Sequence, residues 1–228
     1  MTPSDELSAE AAGVVRGTQA GVLRRPRGRP ADTDSEETRR GCLDAAIRAF
    51  AERGYSGTST RAVAEAAGVT AGSLYYYFPS KAVLYRAAYE YGLELAYSEY
   101  ERAVSGRAGL GEEVRAVLDC SLGIMQASPW ITRLAVQATL DMSHPELAGV
   151  TLSMPARVQR FFESMFLRAV ERGEVQEADR AEVEQLLALL LWGLSSVGLQ
   201  DRQAGAVAVA AVKKLLDGRL LRQEAMSY

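Results

Sequence analysis

Two short helical segments separated by one glycine constrain the fold of this chain more than any other feature of its sequence. The first segment is predicted over residues 60–67 with Ser59 as its N-cap, and the second over residues 71–77. Between them, Gly68 can adopt the left-handed backbone conformation that a tight turn requires. Two short helices joined in this way and packed on a longer first helix form a helix-turn-helix.

The spacing of apolar residues predicts which face of the second segment is exposed. Leu74 and Phe78 lie four residues apart and are expected to face the core together with Val63 and Phe50. The outer side then carries Thr70, Ala71, Ser73, Tyr75 and Tyr76. Small residues and hydroxyl groups let a helix enter a major groove about 12 Å wide. Gly72 lowers helix propensity by roughly 1 kcal/mol, which makes structural sense only where something must approach the backbone closely.

Helical periodicity continues through the rest of the chain, so the fold is predicted to be all-α. The first helix is expected to start with Asp34 as its N-cap and to stop at Gly54, and a long helix is expected from Lys81 to about Val104. Further helices are predicted near residues 111–127, 129–139, 151–172, 180–199 and 205–221. Three domains follow: a disordered basic arm over residues 1–33, the helix-turn-helix domain over residues 34–80 and a helical bundle over residues 81–228.

Residues 58–69, Ser73 to Lys81 and the preceding residues 49–55 strongly resemble the DNA-binding domain of the tetracycline-repressor (TetR) family. The resemblance covers about residues 36–85 and does not extend into the C-terminal part. It implies a homodimer whose third helices enter successive major grooves of a pseudo-palindromic operator.

The same resemblance implies roles for individual residues of the helix-turn-helix. The implied phosphate contacts are Thr60, Ser73, Tyr75 and Lys81, and the positions implied at base edges are Thr70, Ala71, Gly72 and Tyr76. Hydroxyl groups and a lysine near helix N-termini suit phosphate binding. A packing role for Tyr75 and a solvated helix start for Lys81 remain as alternatives.

Few direct hydrogen bonds from side chains to base edges are expected, because Ala71 and Gly72 carry no side-chain hydrogen-bond donor. The arm ending at Pro30 offers a further contact, and we hypothesise that Arg27 and Arg29 insert into a narrow A·T-rich minor groove. The alternative is that the arm only raises non-specific affinity. From Arg24 to Lys81 there are ten basic and seven acidic residues, although the whole chain has a net charge of −3. The positive surplus is therefore local to the segment that would meet DNA.

The C-terminal bundle is predicted to bind an effector and to form the dimer. The resemblance makes a small hydrophobic effector plausible, and the candidate pocket residues are Met125, Trp130, Phe162 and Trp192; the alternative is that these side chains are ordinary core. Residues 186–194 are apolar on all faces and residues 204–212 are mostly Ala and Val, which indicates a dimer interface. An intramolecular core helix would have the same composition.

Other compartments and protein classes are less well supported. No run approaches the 18 apolar residues of a membrane span, no signal peptide is evident, and Cys42 and Cys120 form no disulfide framework. We therefore expect a cytoplasmic protein that does not bind a membrane. An enzyme is the first rival, but His144 is the only histidine, which leaves a di-iron or zinc site short of ligands.

The prediction is thus a non-enzymatic transcriptional regulator without cofactor or metal. By default it is a repressor that a hydrophobic effector releases from its operator, through a tilt of the helix at residues 81–104. A constitutive nucleoid-type DNA protein without an effector is the second rival. It would discriminate weakly between DNA sequences.

Overall fold

The computed structural model describes residues 31–148 and 155–219, and for residues 31–33 only the backbone. Within these ranges the chain has α-helices, two short 3-10 turns and no β-strand, so the all-α prediction is confirmed. The helices are α1 Ala31–Gly57, α2 Thr60–Ala66, α3 Ala71–Tyr77, α4 Lys81–Val104, α5 Leu110–Ala127, α6 Pro129–Asp141, α7 Ala156–Glu171, α8 Arg180–Gln200 and α9 Arg202–Leu216. Arg27 and Arg29, with most of the predicted arm, lie outside the described residues.

Several helix ends differ from the sequence prediction. The predicted N-cap at Asp34 is wrong, because α1 already begins at Ala31 and Asp34 lies in its first turn, where a negative charge interacts favourably with the helix dipole. α9 begins earlier than expected because the Asp201 side chain caps it, accepting hydrogen bonds from the backbone N–H groups of Gln203 and Ala204 at 2.8 and 3.3 Å. It also ends earlier, at Leu216 instead of residue 221.

The buried apolar residues form two separate clusters. The first, which we call the N-terminal core, is centred on Phe50, Tyr55 and Tyr85 and includes Leu134 and Ala138 of α6. The second, the C-terminal core, is formed by the later part of α4 with α5, α7, α8 and α9. Helix α6 therefore packs with the N-terminal helices, although in sequence it lies within the C-terminal bundle.

Helix α4 joins the two cores. Leu84, Tyr85 and Ala88 near its start are buried in the N-terminal core, and Tyr97 and Tyr100 near its end are buried in the C-terminal core. A rise of 1.5 Å per residue separates Lys81 from Val104 by about 35 Å. The helix is therefore the long connection between the helix-turn-helix and the far end of the bundle.

Helices α8 and α9 cross at two glycines. A Cβ atom added to Gly205 would lie 2.7 Å from the Cα atom of Gly198, and one added to Gly198 would collide with the side chain of Met125. Such distances are shorter than any van der Waals contact, so the crossing needs residues without a side chain. The backbones therefore pack directly on one another here.

One face of α8 is apolar but exposed in the single chain. Leu186, Leu189 and Trp192 are each more than half exposed, and Val207 of α9 is 63% exposed. By length and composition alone, residues Glu177–Gln200 would also pass for a membrane span, contrary to the sequence expectation. A helix covered by a second protein chain has the same composition.

Candidate nucleic-acid interface

Side-chain caps define both short helices of the helix-turn-helix. The Ser59 hydroxyl accepts a hydrogen bond from the N–H of Ala62 at 3.2 Å, and the Thr70 hydroxyl accepts one from the N–H of Ser73 at 3.1 Å. Between them, Gly68 has φ +68°, the left-handed conformation expected for the turn. The sequence prediction for this segment agrees with the structure to within one residue.

Burial fixes the orientation of α3. Leu74 and Phe78 are buried in the N-terminal core with Phe50 and Val63, as their spacing predicts. Because these side chains hold one face of α3 against the protein, the opposite face is left to solvent. Tyr76 is 81% exposed on that face, as expected for a residue that meets another molecule.

The structure brings together two of the residues predicted to contact phosphates. The Thr60 and Tyr75 hydroxyl groups are 3.0 Å apart and share a hydrogen bond, so α2 and α3 present two hydroxyl groups at one place. Ala71 and Gly72 are exposed at the start of α3. Since the Thr70 hydroxyl is already used as a cap, less of its hydrogen-bonding capacity remains for a base.

Gly72 has no structural requirement for glycine within the chain. A Cβ atom added there would meet only the Thr70 hydroxyl oxygen, at an ordinary contact distance of 3.8 Å. Its backbone φ is not in the left-handed region. Nothing in the described fold therefore explains the glycine.

Lys81 is held in place by an aromatic ring that the sequence did not single out. Its ammonium nitrogen lies 4.3 Å from the centroid of the Tyr55 ring, a cation–π geometry. The Tyr55 hydroxyl donates a 2.7 Å hydrogen bond to Glu146, and burial together with this carboxylate raises the pKa of the Tyr55 phenol. The sequence gives no signal for this contact, because Glu146 lies 91 residues from Tyr55 along the chain.

A hydrogen-bond cluster at the end of α6 connects that helix to the end of α1, next to the helix-turn-helix. Asp141 accepts hydrogen bonds from the Tyr55 backbone N–H at 3.0 Å, the Tyr85 hydroxyl at 2.7 Å and the Gln137 amide at 3.0 Å. The Tyr55 N–H points to Asp141 because Gly54, at φ +67°, interrupts the helical path of α1. Helices α1, α4 and α6 therefore meet at one carboxylate.

The four residues predicted to line an effector pocket are not brought together. Met125 is buried beside Gly198, and Trp130 packs half-buried on the N-terminal core. Phe162 lines a cleft between α7 and α8, and Trp192 is 53% exposed on the free face of α8. Periodicity indicates which face of a helix is apolar but does not show which neighbour that face contacts, so the sequence cannot show whether these four side chains meet.

A different group of apolar residues forms a cleft of about 450 Å³ between α4, α5 and the start of α6. Its apolar wall contains Leu95, Ala96, Ile124, Ala127 and Ile131. Ile131 packs against both cores. The cleft is thus lined by α6, the helix whose far end contacts Tyr55.

Comparison with known proteins agrees with this geometry. The family profile "Bacterial regulatory proteins, tetR family" matches residues 43–88. The chain is 30% identical to the nucleoid occlusion factor SlmA of Glaesserella parasuis over 140 residues, which are 60% of this chain and 66% of that protein. It is 28% identical to the transcriptional repressor KstR of Mycolicibacterium smegmatis, over 76% of this chain and 82% of that one.

Solved structures show the same architecture. A TetR-family transcriptional regulator from Rhodococcus sp. superposes with a TM-score of 0.65 at 25% identity, over 82% of this chain and all of that one. FadR of Bacillus subtilis, solved in complex with stearoyl-CoA, superposes with the same TM-score at 18% identity, over 80% of this chain and all of that one. The chain therefore belongs to the tetR family of bacterial regulatory proteins and is a DNA-binding transcriptional regulator of the helix-turn-helix type.

Proposed function

We propose that this protein is a ligand-responsive repressor that binds a pseudo-palindromic operator as a homodimer and is released by a small hydrophobic effector. The observation that carries the proposal is the exposed face of α3, with Tyr76 projecting from a helix whose other face is buried through Leu74 and Phe78. KstR is named a transcriptional repressor, and the two solved structures named above are transcriptional regulators.

On the DNA side, each residue predicted to contact DNA has a role in the proposed interface. Thr60, Ser73, Tyr75 and Lys81 hold phosphates, and Thr70, Ala71, Gly72 and Tyr76 face base edges. The Tyr55 ring supports this role for Lys81 because it holds the ammonium group at the start of α4, close to the helix-turn-helix. The predicted contacts of Arg27 and Arg29 in the minor groove complete the proposed interface.

The exposed apolar face of α8 and α9 supports the homodimer. Leu186, Leu189 and Trp192 form a continuous stripe at helical spacing, and a second copy of the chain would bury it. Two-fold pairing also gives the two α3 helices a fixed separation. A separation of about 34–36 Å is needed to reach successive major grooves.

The apolar cleft between α4, α5 and α6 is the proposed effector site. An effector that binds it must favour one position of α6 over another, since a ligand shifts only an equilibrium between states that it binds differently. Movement of α6 would reach Tyr55 through Asp141 and alter the setting of the helix-turn-helix. FadR of Bacillus subtilis, bound to stearoyl-CoA, is a neighbour in fold that takes an acyl ligand.

A footprint on the intergenic DNA beside this protein's own gene tests the proposal. We expect a protected, pseudo-palindromic site, and we expect a ligand with an apolar chain to release it, with stearoyl-CoA as the first probe. Ala127→Trp should fill the cleft, so that operator binding is kept but release is lost. Protection without a two-fold pattern would contradict the proposal.

A nucleoid-associated DNA protein is a second candidate, favoured by the identity to SlmA, which is named a nucleoid occlusion factor. This candidate predicts many binding sites across the chromosome and no release by apolar ligands. A genome-wide map of bound sites separates the two functions. A few sites close to promoters would favour the repressor.

A further inference from the structure

A second, chemically different cleft lies at the end of the bundle away from the helix-turn-helix. It has a volume of about 790 Å³ and is formed by the end of α4, by Glu113 of α5 and by one face of α7. Helix α4 spans about 35 Å between the two ends of the molecule. The phosphates of a bound operator are therefore out of reach of this cleft.

Arginines dominate the wall of this cleft. Five arginines line it, against the two acids Glu101 and Glu113, which leaves a surplus of three positive charges. The arginines are Arg107, Arg157, Arg160, Arg168 and Arg172. Three of them lie on α7 and Arg172 directly follows it; the four recur at spacings of three, eight and four residues, so they lie along one side of the helix.

Two of these arginines have no acidic partner among the residues that the structure describes. Arg160 makes no ion pair there, and Arg107, which follows the end of α4, only donates a hydrogen bond of 3.3 Å to the carbonyl of Ala103. In contrast, Arg157 forms a two-pronged ion pair with Glu101. Arg107 and Arg160 are therefore available to an anion that enters the cleft.

Glu113 supplies an independent sign that something binds here. The residue is only 2% exposed, and its Oε1 atom accepts a hydrogen bond of 3.2 Å from Arg168. Its Oε2 atom is buried and has no hydrogen-bond partner within the described part of the chain. A buried carboxylate oxygen without a donor is costly, so a donor group on a ligand would stabilise it.

We propose that this cleft binds a small organic phosphate that also carries a hydroxyl or amino group. The phosphate would lie against Arg107 and Arg160, since guanidinium groups bind phosphate oxygens in pairs and the local charge surplus suits a multiply charged anion. The hydroxyl or amino group would donate to Glu113 Oε2. The site is separate from the apolar effector cleft, so the inference does not depend on the proposed function.

The positions of the two groups limit the size of the ligand. Arg160 and Arg168, which holds Glu113, are eight residues apart on α7, which corresponds to about 12 Å along the helix. A ligand must therefore extend over roughly that length between its phosphate and its donor group. A nucleoside phosphate has this length, and the cleft volume lies in the range usual for small-molecule sites.

Calorimetric titration of the full-length protein, without DNA, tests the proposal with three probes: ADP, inorganic pyrophosphate and adenosine. We expect ADP to bind with a micromolar Kd, pyrophosphate to bind more weakly and adenosine not to bind measurably. The double variant Arg107→Met/Arg160→Met should lose at least tenfold in affinity for ADP. Arg102→Met removes one positive charge from an exposed position on α4 outside the cleft, and it should change the affinity less than twofold.

Glu113→Gln tests the donor contact, because it replaces one carboxylate oxygen with an NH₂ group. It should weaken ADP binding about tenfold and leave pyrophosphate binding unchanged. The two arginine substitutions involve exposed side chains, so they remain informative if Glu113→Gln fails to fold. Absence of ADP binding at millimolar concentration, or an equal loss in Arg102→Met, would overturn the proposal.

Discussion

The Tyr85 hydroxyl donates a hydrogen bond of 2.7 Å to Oδ2 of Asp141, joining the start of α4 to the end of α6. The same oxygen accepts the Tyr55 backbone N–H, so one atom links three helices of the N-terminal core. Removing the Tyr85 hydroxyl leaves a carboxylate oxygen with one donor fewer. The contact thereby connects the helix-turn-helix to a helix that lines the apolar cleft.

Tyr85→Phe should lower the free energy of unfolding by about 1–3 kcal/mol, because the lost hydrogen bond involves a charged acceptor in a partly buried place. Urea denaturation followed by circular dichroism measures the change. Tyr91→Phe is the matched control: it lies on the same helix, and among the described residues its hydroxyl has no hydrogen bond. Equal stability losses in the two variants would show that the contact with Asp141 contributes nothing.

Gly72→Ala should change stability and operator binding in opposite directions. The new methyl group has space, and alanine favours the helix by up to about 1 kcal/mol, so the protein should become slightly more stable. If the backbone of α3 approaches a base at this point, operator affinity should fall at least tenfold. Gly41→Ala in α1, which also has open space, should raise stability and leave affinity unchanged.

Leu189→Glu should produce monomers that no longer bind the operator. Leu189 is 66% exposed in the single chain, so the charge costs little there and much in an apolar dimer interface. Leu140→Glu makes the same change at a position on α6 that is 67% exposed, and it should leave the dimer intact. Light scattering gives the mass of each variant, and a Leu189→Glu protein that remains a dimer would exclude this face as the interface.

Gly205→Ala should destabilise the protein by about 1–3 kcal/mol, because the added carbon would lie 2.7 Å from the backbone of Gly198 and the helices must separate. Gly123→Ala in α5 meets no atom within 4 Å and serves as the control, with unchanged or higher stability. Thermal unfolding of both variants provides the comparison. Unaltered stability in Gly205→Ala would mean that α8 and α9 do not pack this closely.

Alkaline pH should unfold the protein through its buried tyrosines. Burial raises the pKa of Tyr97, and it raises the pKa of Tyr100 to about 12 from an ordinary value of about 10. The unfolded chain therefore releases these protons first, so the contribution of these two tyrosines to stability is constant below pH 10 and falls as the pH rises from 10 to 12, by up to about 1.4 kcal/mol per pH unit for each tyrosine.

Urea denaturation at a series of pH values measures this slope. Tyr100→Phe should make the slope shallower by as much as one proton. Its own loss of stability, from the hydrogen bond of 2.9 Å to Ser121, should be the same at pH 7 and pH 9. A slope identical to that of the unaltered protein would show that Tyr100 does not contribute.

Local signals in the sequence were enough to place the helix-turn-helix. Ser59, Gly68 and Thr70 act within three residues of themselves, through caps and a left-handed turn, so their effect can be predicted without knowing the rest of the fold. The same holds for the start of α4 at Lys81, where Ser80 is the cap. The all-α class followed from periodicity in the same way.

Contacts between distant parts of the chain could not be predicted in this way. Nothing near Asp141 in the sequence indicates that it accepts the N–H of Tyr55, 86 residues away. The residues that line a pocket could not be predicted for the same reason. Trp192 lies on a helix that is apolar on every side, so periodicity cannot show which side is exposed. The spacing of the arginines between residues 157 and 172 can be read from the sequence, but only the structure shows that they line one cleft with Glu113.

The packing of α6 with the N-terminal helices has a consequence for building chimaeras from related regulators. A graft that ends at Ser80 would set Leu134, Ala138 and Leu147 against a foreign surface, and it would strand Asp141 without Tyr55. The structural unit around the helix-turn-helix is therefore not one contiguous segment of the chain. A working exchange would have to transplant α6 as a second, separate segment, which needs three crossovers in place of one.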